Sequence, residues 1–213
     1  MTAFTKLKVD DFLDGIADRT PTPGGGAVAA ASGALACAMG RMVAVYSIGK
    51  KTESTKSARI ESVLDRLVRA DQAMRRLIVE DAAAYTLLTQ AAKAIREDEG
   101  ARPQHRAALA TAIFVPLEMM ALAAETLALL DEFKEDASRY LLSDLGVAAV
   151  LAEATARAAR YSVLVNLRDL EHVEDRRRIH AEVTHLLERS GRHRQSIEDF
   201  VSPFLGENQK QRR

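Results

Sequence analysis

Residues 21–26 read Pro-Thr-Pro-Gly-Gly-Gly and run straight into a helix of small side chains. Three glycines permit positive φ and allow a ligand to approach the backbone closely. At a helix start their N–H groups lack intrahelical partners, which suits an anion or a carbonyl oxygen. A side chain at Gly25 is therefore expected to clash. A tight loop that uses glycine only for packing would read the same way. No Gly-Lys-Ser/Thr follows, so this is not a P-loop, and no strand pattern precedes it as a dinucleotide fingerprint requires.

A second chemical signal lies further along. Ile60, Leu64, Leu67, Met74, Ile78, Tyr85 and Leu88 recur at three- and four-residue spacing, the stripe of one helix face. Asp71 falls on that stripe and Asp81 at its edge. A carboxylate bordering an apolar stripe must be paired, hydrated or functional. The structural alternative for Asp81 is an ion pair with a neighbouring helix. The five histidines offer less. His180 and His185 are five apart, not the one-turn spacing of a helical metal pair, and all five read as surface residues. Cys37 sits in an apolar run and reads as a small core residue. No metal site is expected.

These groups must be positioned by helices. Of the 213 residues, 47% are hydrophobic but only 5% aromatic, with no Trp. The core must then be built from Ala, Leu, Val, Ile and Met. Alanine loses least on entering a helix, and alternating β-branched runs are missing. The expectation is one all-α domain over 1–213, a bundle of about six helices. Their ranges are roughly 9–17, 27–50, 57–95, 103–133, 143–166 and 170–205, with a tail fraying from about 206. The second helix is small on every face, which places it at the bundle centre or a subunit interface. Pro116 should kink the fourth. Ser143 or Asp144 is the natural N-cap of the fifth, whose inner face reads Val147, Leu151, Ala154, Ala158, Ser162 and Val165.

Formal net charge is zero, so no global electrostatic case exists for nucleic acid or an acidic membrane. One cysteine cannot form an internal disulfide, which fits a reducing, cytoplasmic compartment. No apolar stretch of signal-peptide length opens the chain. The run 27–38 is too short to span a bilayer.

Taken together, FLDGIADRTPTPGGGAVAAASGALACAMGRMVAVYSIGKK, then Glu80-Asp81 with Tyr85, then SDLGVAA at 143–149 and Val165-Asn166-Leu167, resemble the formiminotetrahydrofolate cyclodeaminase family. That family includes a methenyltetrahydrofolate cyclohydrolase. The resemblance runs from about Phe12 to Leu170 and implies an all-α fold that pairs into homodimers. It also implies a small-molecule folate substrate, with no enzyme-borne cofactor. The cyclodeaminase closes a ring as N10 attacks the formimino carbon on N5 and ammonia leaves. The cyclohydrolase adds water to the same carbon and opens the ring.

By this resemblance Asp144 is the first catalytic carboxylate, with Asp81 the second. For Asp144 the competing role is a helix N-cap. Pro23, Gly24, Gly25, Gly26, Ser47, Lys50, Ser143 and Asn166 are the expected substrate-binding residues. Lys50 would meet the folate carboxylates or polarise the reacting carbon, unless it is a solvated helix end. Ser47 and Asn166 have backbone bonding as their alternative. Four positions depart from the family pattern: Tyr46, Ser138, Tyr140 and Ser162. They leave open a non-catalytic folate-binding or interaction protein on the same fold.

Overall fold

The computed structural model describes residues 4–49 and 53–206. Six α-helices account for nearly all of them, and no strand occurs among the described residues. They are α1 (Val9–Ala17), α2 (Gly25–Ser47), α3 (Ser54–Glu97), α4 (Arg102–Phe133), α5 (Leu142–Leu167) and α6 (Val173–Val201). The all-α expectation holds. Every expected helix is present, with ends displaced by a few residues. The sixth falls furthest short of its expected range, in part because 3-10 geometry takes over at Ser202–Phe204. Lys50, and most of the tail expected to fray, lie outside the described residues.

Helices α2, α3, α4 and α5 form the body of the bundle, and α6 packs across α4 and α5. Glycine explains how α2 fits between its neighbours. Gly26, Gly33 and Gly40 recur every seven residues and so share one face. A β-carbon on Gly33 would meet Met74 of α3 at 2.7 Å, and one on Gly40 would meet Leu130 of α4 at 2.7 Å. The seam admits those side chains against bare backbone. Cys37 lies on this inward side with its Sγ 3.5 Å from Thr126 Oγ1, and burial pushes its thiol up to about 11. Helix α4 runs unbroken through Pro116, which is buried.

Three sequence expectations are corrected. Helix α5 starts at Leu142, with Leu141 at the N-cap and no side-chain capping bond. Ser143 and Asp144 therefore sit inside the first turn. The inner face of α5 is also rotated from the expected one. Its buried residues include Leu145, Ala148, Ala152, Thr155, Ala159 and Val163, whereas Val147, Ala154, Ala158 and Val165 are exposed. The periodicity was real, but it marks a face that this chain alone does not cover. The apolar stretch near the N-terminus is longer than 27–38: α2 and the segment 99–133 are both long and apolar enough to cross a membrane. Half of each apolar window packs inside the bundle, as core helices do.

Candidate active site

A cavity of about 410 Å³ opens where the loop before α2 meets α3 and the last turns of α5. Pro21, Thr22 and the three glycines form one wall, and Asp81, Tyr85 and Leu88 a second. Ala112 of α4 and Ser162, Val165 and Asn166 of α5 complete it. The Thr22–Pro23 peptide is cis, and Gly24 is the extended N-cap of α2. The N-cap glycine has no side chain to satisfy the first helical N–H groups. Asp81 reaches across from α3 instead and accepts the N–H of Ala27.

Two opposing influences act on this carboxyl. Burial raises Asp81 above the ordinary aspartate value, and the Ala27 hydrogen bond opposes that rise. No lysine or arginine pairs with it among the described residues, so the ion-pair alternative does not apply. Asp71, on the same stripe, is the paired case. Only 3% exposed, it bonds Arg41 at 2.6 Å and Arg75 at 2.7 Å. A buried carboxylate between two guanidiniums has a structural task, and Asp71 takes no part in the cavity.

Asn166 donates to the carbonyls of Ala112 at 2.8 Å and Ser162 at 3.0 Å. Both amide protons are then used, and no hydrogen bond engages its Oδ1 among the described residues. Backbone bonding and cavity lining coexist at this residue. Gly24, Gly25 and Gly26 line the cavity as expected, but the clash expected at Gly25 does not exist there. A β-carbon on Gly25 meets nothing within 4 Å, whereas one on Gly26 would overlap the Asp81 carboxylate. Pro23 is buried and packs against Gly15 rather than lining the cavity.

The remaining expected site residues lie elsewhere. Ser47 is buried, donates to Val43 O at 2.7 Å and accepts the N–H of Ser138 at 2.8 Å. It ties the end of α2 to the segment before α5. Ser143 and Asp144 stand at that same end, about 33 Å from Asn166 along α5 at about 1.5 Å per residue. Of the four departures from the family pattern, Ser162 lines the cavity, while Tyr46, Ser138 and Tyr140 cluster at the far end. Sequence reasoning did not assign Tyr85 to the wall, and it marked Ser162 only through its departure from the family pattern at a position expected to line the pocket. Helical spacing could have assigned both: Tyr85 is one turn beyond Asp81, and Ser162 one turn before Asn166. His193 is also less exposed than expected, with Nδ1 2.8 Å from Asp131 Oδ2. No three of His, Cys, Asp and Glu converge as metal ligands among the described residues.

Comparison with known proteins covers this whole arrangement. The formiminotransferase-cyclodeaminase family description matches residues 8–185. The methenyltetrahydrofolate cyclohydrolase of Methylorubrum extorquens is 34% identical over 167 residues, covering 76% of this chain and 80% of the relative. The formimidoyltransferase-cyclodeaminase of Mus musculus is 27% identical over 181 residues, 83% of this chain but 34% of that longer protein. The crystal structure of formiminotetrahydrofolate cyclodeaminase from Thermotoga maritima superposes with a TM-score of 0.86 at 26% identity, covering 94% of this chain and 98% of the other. A glycine-floored cavity with one unpaired carboxylate, in a bundle matched along nearly its full length, thus has consistent relatives: the chain belongs to the formiminotransferase-cyclodeaminase family.

Proposed function

We propose that this chain is a folate one-carbon enzyme, a formiminotetrahydrofolate cyclodeaminase that converts 5-formiminotetrahydrofolate to 5,10-methenyltetrahydrofolate and ammonia. The observation that carries the reading is Asp81, a half-buried carboxylate without an ion-pair partner, at a cavity floored by glycine backbone. The reaction needs a proton moved between two nitrogens held close together. The formimino group enters protonated, as N5–CH=NH₂⁺. N10 attacks its carbon, and a C–N bond forms as the C=N bond opens to an amino group. The N10 proton passes to Asp81 and from it to that amino group. The C–NH₃⁺ bond then breaks, ammonia departs, and the positive charge stays on the methenyl bridge. An aspartate raised above its ordinary value is better suited to give the proton back than one held far below it. The proton balance closes without a metal or an enzyme-borne cofactor. Gly24 and Gly25 would let the pterin edge approach the backbone, and Asn166 Oδ1 would accept a ring N–H.

A second reading is methenyltetrahydrofolate cyclohydrolase, favoured by the 34% identity to the Methylorubrum extorquens enzyme. Here Asp81 would take a proton from the water that attacks the methenyl carbon. Ser162 on the cavity wall, a departure from the family pattern, is what favours a non-catalytic folate-binding protein instead. A homodimer and a cytoplasmic location accompany the main reading. The one buried, unpaired cysteine supports a reducing compartment.

The test is spectrophotometric. Pure protein with 5-formiminotetrahydrofolate should generate the methenyl absorbance with ammonia release. Loss of absorbance from 5,10-methenyltetrahydrofolate, faster than the spontaneous rate, would favour the cyclohydrolase. Silence in both assays from folded protein would sink the enzymatic reading.

A further inference from the structure

Asp81 is set apart from other shielded carboxylates of the bundle. Asp71, Asp131, Asp136 and Glu153 expose between 4% and 20% of their side chains, and each meets a lysine or arginine at 3.2 Å or less. The fold supplies a cation to each of them. Among the described residues it supplies none to Asp81. An ionised carboxylate drawn out of water is costly unless a partner brings the opposite charge. At a cavity wall, that partner can be the ligand.

The rest of the lining agrees. None of the residues around the cavity is a lysine, an arginine or a histidine, so no side-chain cation is there to receive an anion. Tyr85 stands one turn from Asp81 along α3, a spacing that sets β-carbons about 6 Å apart, and its side chain is half exposed. An aromatic face attracts a cation held within about 6 Å of the ring centre. On the α5 wall, Ser162 and Asn166 are also one turn apart. Thr111 and Thr155 turn their hydroxyls back onto carbonyls of their own helices, at 3.0 and 2.8 Å. No hydrogen bond engages Ser162 Oγ or Asn166 Oδ1 among the described residues, which leaves two oxygens for N–H groups of a ligand. The positive end of α2 would oppose a cation, but Asp81 itself accepts the Ala27 N–H there.

Folates differ in charge at their one-carbon unit. The protonated formimino group and the methenyl bridge are both amidinium cations, with the charge spread over two nitrogens. A formyl group on either nitrogen is a neutral amide of nearly the same size. We infer that this cavity selects folates by that charge: it takes those whose one-carbon unit is an amidinium cation over those with a neutral formyl group, Asp81 supplying the counter-charge and Tyr85 the aromatic face. Tyr85 is thereby a specificity-determining residue. The inference rests on the reading of this cavity as the folate site, and it deepens that reading. One wall serves both ends of the reaction, because the positive charge is carried from substrate to product.

The test is binding, with 5,10-methenyltetrahydrofolate as the cation and 5-formyltetrahydrofolate as the neutral ligand, read by stopped-flow fluorescence before any turnover. The parent should bind the cation at least about tenfold more tightly. Equal Kd values would overturn the inference. Asp81→Asn should bring the two values within a few-fold of each other by weakening the cation alone. Tyr85→Leu should weaken the cation about fivefold and leave the formyl ligand unchanged, while Tyr85→Phe keeps the preference. Equal weakening of both ligands in Tyr85→Leu would make the ring ordinary packing and overturn its assignment. If neither folate binds the folded parent, the folate reading fails. Charge selection is then decided by benzamidinium and benzamide, which share one shape, in saturation-transfer NMR. A benzamidinium signal that exceeds the benzamide signal and is lost in Asp81→Asn would uphold it, and equal signals would overturn it.

Discussion

The carboxylate of Asp81 occupies the space where a β-carbon on Gly26 would stand. One residue is absent so that the other can reach the start of α2 and accept the Ala27 N–H. The glycine loop and the carboxylate, 55 residues apart in sequence by their numbers, are therefore two parts of one construction. Each constrains what can be changed in the other.

Gly26→Ala should displace the carboxylate without unfolding the bundle. Alanine gains up to about 1 kcal/mol over glycine in a helix, which offsets much of the local crowding. The expected result is a loss of at least about tenfold in kcat/KM, with a thermal midpoint within a few degrees of the parent. Gly25→Ala, whose β-carbon meets no atom, should leave Asp81 in place and lose less. Equal losses in the two variants would contradict this account of the loop.

Stability should move the other way at Asp81 itself. Burial raises its folded-state value above the ordinary 3.8. A carboxyl raised in this way favours the fold while protonated, and that contribution is lost as pH climbs through the raised value. At neutral pH the ionised group therefore costs stability. Asp81→Asn should melt at a higher temperature than the parent at pH 7, and the gap should close as pH falls toward 3.8 and below. A variant that melts lower at pH 7 would show that the Ala27 bond outweighs the burial.

Ser47→Ala removes the hydroxyl that accepts the Ser138 N–H and leaves that half-buried group without its partner. A loss of about 1.5 kcal/mol is expected. In a chain of this size that is about 5 °C in thermal midpoint. Calorimetry showing no change would mean that water replaces the hydroxyl.

Removal of Asp71 by Asp71→Ala separates two roles that its sequence position left joined. It should destabilise by about 2 kcal/mol, tempered because Arg41 and Arg75 are 37% and 51% exposed at their side chains and can be rehydrated. Substrate affinity of the folded variant should be unchanged, since Asp71 does not line the cavity. Urea denaturation and a KM measurement read the two effects separately.

Much of this was legible in the chain because helices announce themselves by period. The α3 stripe located Asp71 and Asp81 at the core boundary, and the small residues of α2 marked a helix that touches neighbours closely. Periodicity could not say which neighbour covers a stripe. Val147, Ala154 and Val165 repeat at core spacing, yet they are exposed, because apolar spacing marks one side of a helix without saying whether the fold turns it inward. Capping failed for a related reason. Ser143 and Asp144 are good N-cap types, but the 3-10 turn Arg139–Leu141 feeds directly into α5 and leaves no extended residue to cap. Gly25 and Gly26 looked alike in sequence. Only the arrival of Asp81 from α3 makes one of them obligatory.

The central claim is that Asp81 moves the proton at the folate carbon. The most direct test compares Asp81→Asn with the parent in the formation of 5,10-methenyltetrahydrofolate from 5-formiminotetrahydrofolate, alongside binding of the unreactive analogue 5-formyltetrahydrofolate. Turnover should fall by roughly 10²–10⁴, the range of a lost acid–base group, while the analogue binds within a few-fold of the parent. Turnover of the folded variant within a few-fold of the parent would contradict the claim.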